Sequence, residues 1–179
     1  MPRKPREEVA GGIFHVYARG NDRRAIFLDS RDRFTYLDQL GSVVVRQRWW
    51  CLGFCLMNNH LHLLLETPRP NLGSGMQRLH GQYAQAFNKR HGSVGHLFQG
   101  RYGAVRIRTD AQLWTAIRYI ARNPVGAELC DRPEQWRWGS HRAVSRSRAP
   151  SWLHHDRLVS LLSGSHQDPR AAYVRLVAD

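Results

Sequence analysis

His60 and His62 are the residues most able to do chemistry, in the run Met57-Asn58-Asn59-His60-Leu61-His62-Leu63-Leu64-Leu65-Glu66. On an extended strand, residues two apart leave the same face with Cα atoms about 6–7 Å apart. Two imidazoles so placed can converge on one ion, while Leu61, Leu63 and Leu65 turn to the other side and fix which face is buried. A His-x-His pair alone is also compatible with two polar strand residues that have no task. Two histidines seldom complete a metal site, so a third oxygen or nitrogen donor is needed, and Asn123, Glu66 and Asp110 are the candidates. An ion held there with open positions would act as a Lewis acid on a phosphate, polarising the scissile group and stabilising a leaving 3'-oxygen. Imidazole mixed with oxygen suits Mg2+ or Mn2+, though the softer donors would also hold zinc or nickel.

A nucleophile has six tyrosines to come from: Tyr17, Tyr36, Tyr83, Tyr102, Tyr119 and Tyr173. Tyr83 falls on the apolar stripe of a helix, and Tyr36 and Tyr173 lie in helical stretches without site-like neighbours. Tyr119 is different. Leu113, Ala116, Ile117 and Ile120 form the buried stripe of its helix, and Tyr119 and Asn123 fall together on the flank at i and i+4, where side chains meet. One helix could then supply both a phenol and a metal-ligating amide. A tyrosine suits phosphodiester cleavage because its aryloxide is a competent nucleophile and the phosphotyrosine keeps the bond energy for a second transfer.

The elements that must position these groups are readable from periodicity. Residues 12–19 are β-branched and aromatic and stop at Gly20-Asn21-Asp22, which predicts a strand. Asp29 or Ser30 can cap a helix whose Phe34, Leu37, Leu40 and Val44 recur at helical spacing to about residue 47. Residues 49–57 and 60–66 read as strands joined by a two-residue turn at Asn58-Asn59, because asparagine tolerates positive φ. Met76, Leu79, Tyr83 and Phe87 define a helix over 74–91 ended by Gly92. Residues 96–108 read as a fourth strand bent at Gly100 and Gly103, and Asp110 caps a helix that Pro124 stops. Glu134 to Ser151 is a Trp/Arg/Ser-rich extension, and 152–178 hold one or two short helices. The order strand-helix-strand-strand-helix-strand is that of a ferredoxin-like α+β sandwich, an antiparallel sheet of about four strands with helices on one face. A catalytic helix and a C-terminal extension follow.

At 179 residues the chain has the size of one domain with a real core. The division expected is 1–145 for the chemistry-bearing domain and 146–179 for a helical extension packed on it. Lys and Arg outnumber Asp and Glu 27 to 14, and the excess is spread along the chain, so it belongs to the folded surface. That field draws polyanions, nucleic acid first. No apolar run reaches the roughly 20 residues of a membrane span, and the residues Met1 to Glu8 have no signal-peptide core, so no membrane partner and a cytoplasmic location are expected. Cys51, Cys55 and Cys130 are odd in number, lack zinc-type spacing and read as core thiols.

Four ordered motifs then point to a family. Met57 to Leu64 and the run Tyr119-Ile120-Ala121-Arg122-Asn123-Pro124-Val125 resemble the His-hydrophobic-His single-tyrosine transposases, and among them the REP-associated tyrosine transposases of bacteria. Arg19-Gly20-Asn21-Asp22-Arg23 with Ile26-Phe27, and Gly95-His96-Leu97-Phe98-Gln99-Gly100-Arg101-Tyr102, resemble segments of the same group. The resemblance covers roughly residues 12–145. It implies His60, His62 and Asn123 as metal ligands, Tyr119 as nucleophile, Mg2+ or Mn2+ as cofactor, and cleavage of single-stranded DNA beside hairpins of palindromic repeats. It also implies a bacterial, nucleoid-associated protein working as a monomer or a homodimer. One departure stands out: Gly126-Ala127-Glu128 occupies the place where the family more often shows Arg then Ala-Gly, which removes a cation from the local phosphate contact.

Single strands are held by cations along the backbone and by aromatic faces for the bases. The expected DNA contacts are Arg101, Tyr102, Arg106 and Arg108 on one strand, with Arg19, Asn21, Arg23 and Arg24 on a neighbouring rim. Two other readings compete: a hairpin-binding regulator derived from a transposase but without cleavage, and a zinc-dependent hydrolase that uses water. Loss of a covalent DNA adduct in Tyr119→Phe separates all three.

Overall fold

A computed structural model describes residues 8–146, 149–162 and 169–178. The N-terminal stretch read for a signal peptide lies, up to residue 7, outside the described residues. Four strands, β1 (Gly12–Arg19), β2 (Trp50–Leu56), β3 (His60–Thr67) and β4 (Gly103–Ile107), form one antiparallel sheet in the order β2-β3-β1-β4. With α1 (Ser30–Gln47) after β1 and α2 (Leu72–His91) after β3, this is the expected ferredoxin-like sandwich. Strict alternation on β1 sets the faces. Phe14, Val16 and Ala18 are buried with Leu61, Leu63 and Leu65 of β3, whereas His15, Tyr17 and Arg19 point the other way. On the first face α1 and α2 pack together, closed by the Phe27, Tyr36 and Tyr83 rings, whose centroids lie 5.0–5.6 Å apart.

The second face receives α3 (Asp110–Gly126), which contacts β2, β3 and β4. Its Leu113, Ala116, Ile117 and Ile120 are buried as expected. Two details of α3 differ from the sequence reading. Thr109, not Asp110, is the cap, its hydroxyl accepting the Gln112 N–H at 3.2 Å. Pro124 does not stop the helix, which runs to Gly126. It ends in a Schellman motif: Leu129 N–H bonds the Pro124 carbonyl and Glu128 N–H the Val125 carbonyl, both at 2.9 Å, with Glu128 left-handed at φ 56°. Proline costs the ladder one donor, and here the packed apolar stripe outweighs that loss.

The fourth strand is shorter than expected. Residues 96–102 keep a single antiparallel bridge, Phe98 to Gly20 at the end of β1, with Asn21 N–H bonding the Leu97 carbonyl and Gln99 N–H the Arg19 carbonyl, while the Phe98 ring stacks on His80 of α2 at 4.2 Å. In α1, Phe34 proves exposed against the edge of Trp138, and Tyr36 takes the core position. The Asn58-Asn59 turn forms as expected, closed by Met57 N–H to the His60 carbonyl at 2.9 Å. Neither asparagine has positive φ, however. They serve as cross-links: the Asn58 carbonyl accepts the Ile26 and Phe27 N–H groups, and Asn59 accepts that of Gly20.

The C-terminal part covers the outer edge of β2. Leu56 N–H bonds the Trp138 carbonyl, Phe54 N–H the Ser140 hydroxyl, and His154 N–H the Cys51 carbonyl, so this edge offers little to another strand. Trp138 and Trp152 pack there, with α4 (Ser140–Ser145), α5 (His155–Leu162) and α6 (Pro169–Ala178) following. Cys51 and Cys55 are buried thiols and Cys130 is half-buried. Among the described residues no helix is long and apolar enough to cross a membrane.

Candidate active site

The His60/His62 side of β3 and the flank of α3 meet in the open half of the second face. His60 Nε2 lies 3.0 Å from Asn123 Oδ1, and Asn123 Nδ2 lies 3.4 Å from His62 Nε2. One turn earlier on α3, the half-exposed ring of Tyr119 stands 5.2 Å from the His62 ring, edge on. The i and i+4 spacing thus brings a phenol and an amide over the histidine pair. Of the three candidate third ligands only Asn123 is there. Glu66 is bound by Arg157 through two bonds of 2.9 and 3.0 Å, and Asp110 starts α3, thirteen residues or about 20 Å of helix from Asn123.

Hydrogen bonds fix which nitrogens carry protons. Asn59 Nδ2 donates to the Arg23 carbonyl at 3.0 Å, which turns its Oδ1 toward His60 Nδ1 at 2.7 Å. Nδ1 must therefore hold the His60 proton, leaving Nε2 as a bare lone pair aimed at Asn123 Oδ1, another acceptor. With the Asn123 amide turned over, its NH2 serves His60 Nε2 and its oxygen accepts from His62 Nε2, the tautomer in which His62 Nδ1 accepts from His15. In the tautomers that leave both Nε2 atoms bare, two imidazole lone pairs and the Asn123 oxygen converge, an arrangement that a cation satisfies. Octahedral bonds of about 2.1 Å put neighbouring ligand atoms about 3.0 Å apart, so the donor set fits Mg2+ or Mn2+. Among the described residues no three His, Cys, Asp or Glu side chains form a metal cluster; the oxygen beside the histidine pair is that of the Asn123 amide. Burial pushes the His62 pKa down to about 3, helped by the neighbouring His15, His60 and Arg19, and burial likewise lowers His60. Both rings are neutral near pH 7, with lone pairs free.

His15 is the residue that sequence reading missed. It sits on the same face of β1, its Nε2 3.0 Å from His62 Nδ1 and its ring 5.7 Å from that of Tyr119. The His62 tautomer with a free Nε2 is the one whose Nδ1–H donates to His15. The signal was present: on a strand whose even positions 14, 16 and 18 are apolar, the odd position 15 must share the face of His62. Arg118 and Arg122 were also missed. With Thr115, Tyr119 and Asn123 they line a cleft of about 600 Å3 beside the nucleophile candidate, and Arg122 is anchored to the Val177 and Ala178 carbonyls.

The expected DNA contacts are scattered by comparison. Arg19 lies directly across from His60 on the site face. Arg23 and Arg24 are exposed on the adjoining turn. Asn21 and Arg101 line a separate cavity of about 870 Å3 between α2 and residues 95–102. Tyr102 is buried in the core and offers no stacking face. Arg106 pairs across from Phe14, hence on the α1/α2 side of β4, and Arg108 is exposed just past the strand.

Fold and site together define a ferredoxin-like protein with a His-x-His pair facing a tyrosine helix. The chain belongs to the family described as "Transposase IS200 like", which matches residues 8–123, a span that includes His60, His62, Tyr119 and Asn123. This bears out the kinship read from the motifs. A solved structure titled as a REP-associated tyrosine transposase bound to a REP hairpin shares the fold, with TM-score 0.71 and 19% identity over 84% of this chain and 89% of that one. A putative transposase from Deinococcus radiodurans overlaps less, with TM-score 0.47 and 18% identity over 66% of this chain and 95% of that one. No curated protein sequence matches the chain.

Proposed function

We propose that the chain is a divalent-metal-dependent endonuclease and strand transferase for single-stranded DNA at hairpin or palindromic-repeat elements, working through a 5'-phosphotyrosine on Tyr119. The observation that carries this is the placement of Tyr119 and Asn123 one turn apart on α3 over His60 and His62. His60, His62 and Asn123 would hold Mg2+ or Mn2+, which when bound supplies Lewis-acid activation of the phosphate. Tyr119 Oη attacks the phosphorus, the P–O3' bond breaks, and the 3'-oxygen leaves and takes a proton; a later 3'-hydroxyl reverses the step to join strands. Arg19, Arg118 and Arg122 border the path of the phosphate backbone. That Tyr119 reaches the histidines within one chain supports a site assembled in a monomer over one shared in a homodimer. The family membership supports transposition as the setting, and the hairpin in the similar structure's title supports a hairpin substrate.

The test is incubation of labelled single-stranded hairpin DNA with Mn2+ and denaturing gel analysis. A protein–DNA adduct that vanishes in Tyr119→Phe supports the reading. Hairpin binding with no adduct from the wild-type chain assigns a regulator instead, and cutting that survives Tyr119→Phe assigns a water nucleophile.

A further inference from the structure

The half of the second face that α3 leaves open carries a second aromatic ring that the chemistry above does not use. Tyr17 on β1 is 45% exposed, although its neighbours Val16 and Ala18 are buried. Its ring centroid lies 6.5 Å from that of His62 and 5.9 Å from that of His15. Directly opposite it on β4 is Gly103. A Cβ built on Gly103 would come within 2.2 Å of Tyr17 Cζ, with Cε2 and Oη at 2.4 and 2.6 Å. The phenol therefore sits over the glycine, in the space that the side chain of any other residue at 103 would fill. Two residues along β4, Val105 faces outward on the same side, opposite His15, and is 53% exposed. The result is a shallow apolar floor, Tyr17 and Val105 with Gly103 between them, running from the histidine pair toward the outer side of β4.

An exposed ring normally pays rotamer entropy when a partner immobilises it. Tyr17 has given up that freedom already, because β-sheet geometry and the glycine beneath hold it in one place. A fixed aromatic face beside a phosphate-handling site, on a chain of net charge +13, has the properties of a stacking platform for a base of single-stranded nucleic acid: every base has a π-face, and stacking is tolerant of sequence. We propose that Tyr17, seated on Gly103, is a base-stacking platform for an unpaired nucleotide next to the scissile phosphate, with Val105 extending the floor for the following base. This rests on the reading of the site as a single-stranded DNA nuclease, and it adds a binding subsite that the motifs did not reveal.

The experiment uses the full chain carrying Tyr119→Phe, so that binding is read without cleavage, and an unstructured oligothymidylate with one 2-aminopurine in place of a thymine, moved along the strand, with Mn2+ present. Stacking quenches 2-aminopurine fluorescence. In the Tyr119→Phe background at least one probe position is expected to be quenched on binding. Adding Tyr17→Leu should abolish that quenching and weaken binding about 5- to 100-fold, the effect of losing one stacked base, whereas adding Tyr17→Phe should keep both. Gly103→Ala, which pushes the ring off its seat, should reproduce Tyr17→Leu, and the pair combined should lose no more than either alone. If Gly103→Ala fails to fold, the Leu and Phe substitutions at Tyr17 decide by themselves. Quenching and affinity within twofold of the parent in the Tyr17→Leu protein overturn the platform. The two readings separate cleanly: Tyr17-dependent quenching without any adduct from the wild-type chain removes the nuclease and keeps the platform, and adduct formation with Tyr17-independent binding does the reverse.

Discussion

Asn59 and His15 act at the residue scale by deciding protons, not by touching a substrate. Asn59 is committed to the Arg23 carbonyl through its amide nitrogen, so its oxygen takes the Nδ1 proton of His60. His15 Nε2 lies 3.0 Å from Nδ1 of His62 and accepts its proton in the tautomer that leaves His62 Nε2 bare. Each ring is thereby turned so that its Nε2 faces Asn123, and outer partners of this kind are typically worth about 10- to 100-fold in metal affinity. His15→Ala should weaken Mn2+ binding by about that factor, followed by loss of the Mn2+ electron paramagnetic resonance signal on titration, while His15→Gln, which restores an acceptor for Nδ1–H, recovers part of it. An affinity within twofold of the wild type in His15→Ala would remove His15 from the site. Tyr119 was legible from its i+4 amide partner. His15 was not singled out: alternation on β1 gave its face, but its nearness to His62 depends also on β1 and β3 being neighbours in the sheet.

At the scale of elements, α3 shows both what was readable and what was not. Its apolar stripe is strictly periodic, so the flank holding Tyr119 and Asn123 followed from the sequence. Its end did not, since a local rule about proline competes with the burial of Pro124 against the core, and burial is decided by the rest of the fold. The same competition shortened β4: the apolar run Leu97-Phe98 is strand-like and still bridges Gly20 at Phe98, but the Phe98 side chain stacks on His80 of α2 and the pairing does not run on into β4. Beyond Pro124, Glu128 is exposed in the left-handed region at φ 56°, at the position where the resembling sequences more often have glycine. A side chain there costs about 1 kcal/mol, and a carboxylate at a helix C-terminus adds an unfavourable interaction with the dipole. Glu128→Gly should raise stability by about 0.5–1 kcal/mol in urea unfolding, more than Glu128→Ala, which removes only the charge. A Glu128→Gly protein no more stable than the alanine one would show that the backbone there is not strained.

At the scale of the whole molecule, one site-bearing histidine and one distant from the site share a fate that couples folding to acidity. Burial holds His62 and His80 neutral, each with its pKa pushed down to about 3; His80 is wedged between Phe98 and Tyr36, while His62 belongs to the site. The unfolded chain would protonate both near pH 6.5. Their contribution is therefore complete above pH 6.5 and is lost progressively as the pH falls from there toward 3, at about 1.4 kcal/mol per pH unit for each ring. The depressed carboxylates act in a lower window. Asp29 is held down by Arg90; Asp32 is raised by burial but lowered further by His91, the Leu28 N–H and Arg90. Both lose their share only below the ordinary carboxylate range, so a fall in stability between pH 6.5 and 4.5 belongs to the histidines. Urea midpoints measured without metal at pH 7.5, 6.0 and 4.5 should drop through that interval. His80→Gln, which cannot titrate, should lower stability at pH 7.5 through lost stacking on Phe98 yet flatten the pH dependence by about 1.4 kcal/mol per unit. The slope and not the offset is the diagnostic quantity, because any damaging substitution moves the offset. A His80→Gln protein that loses stability with acid as steeply as the wild type would mean that His80 reaches solvent and carries its proton in the folded chain.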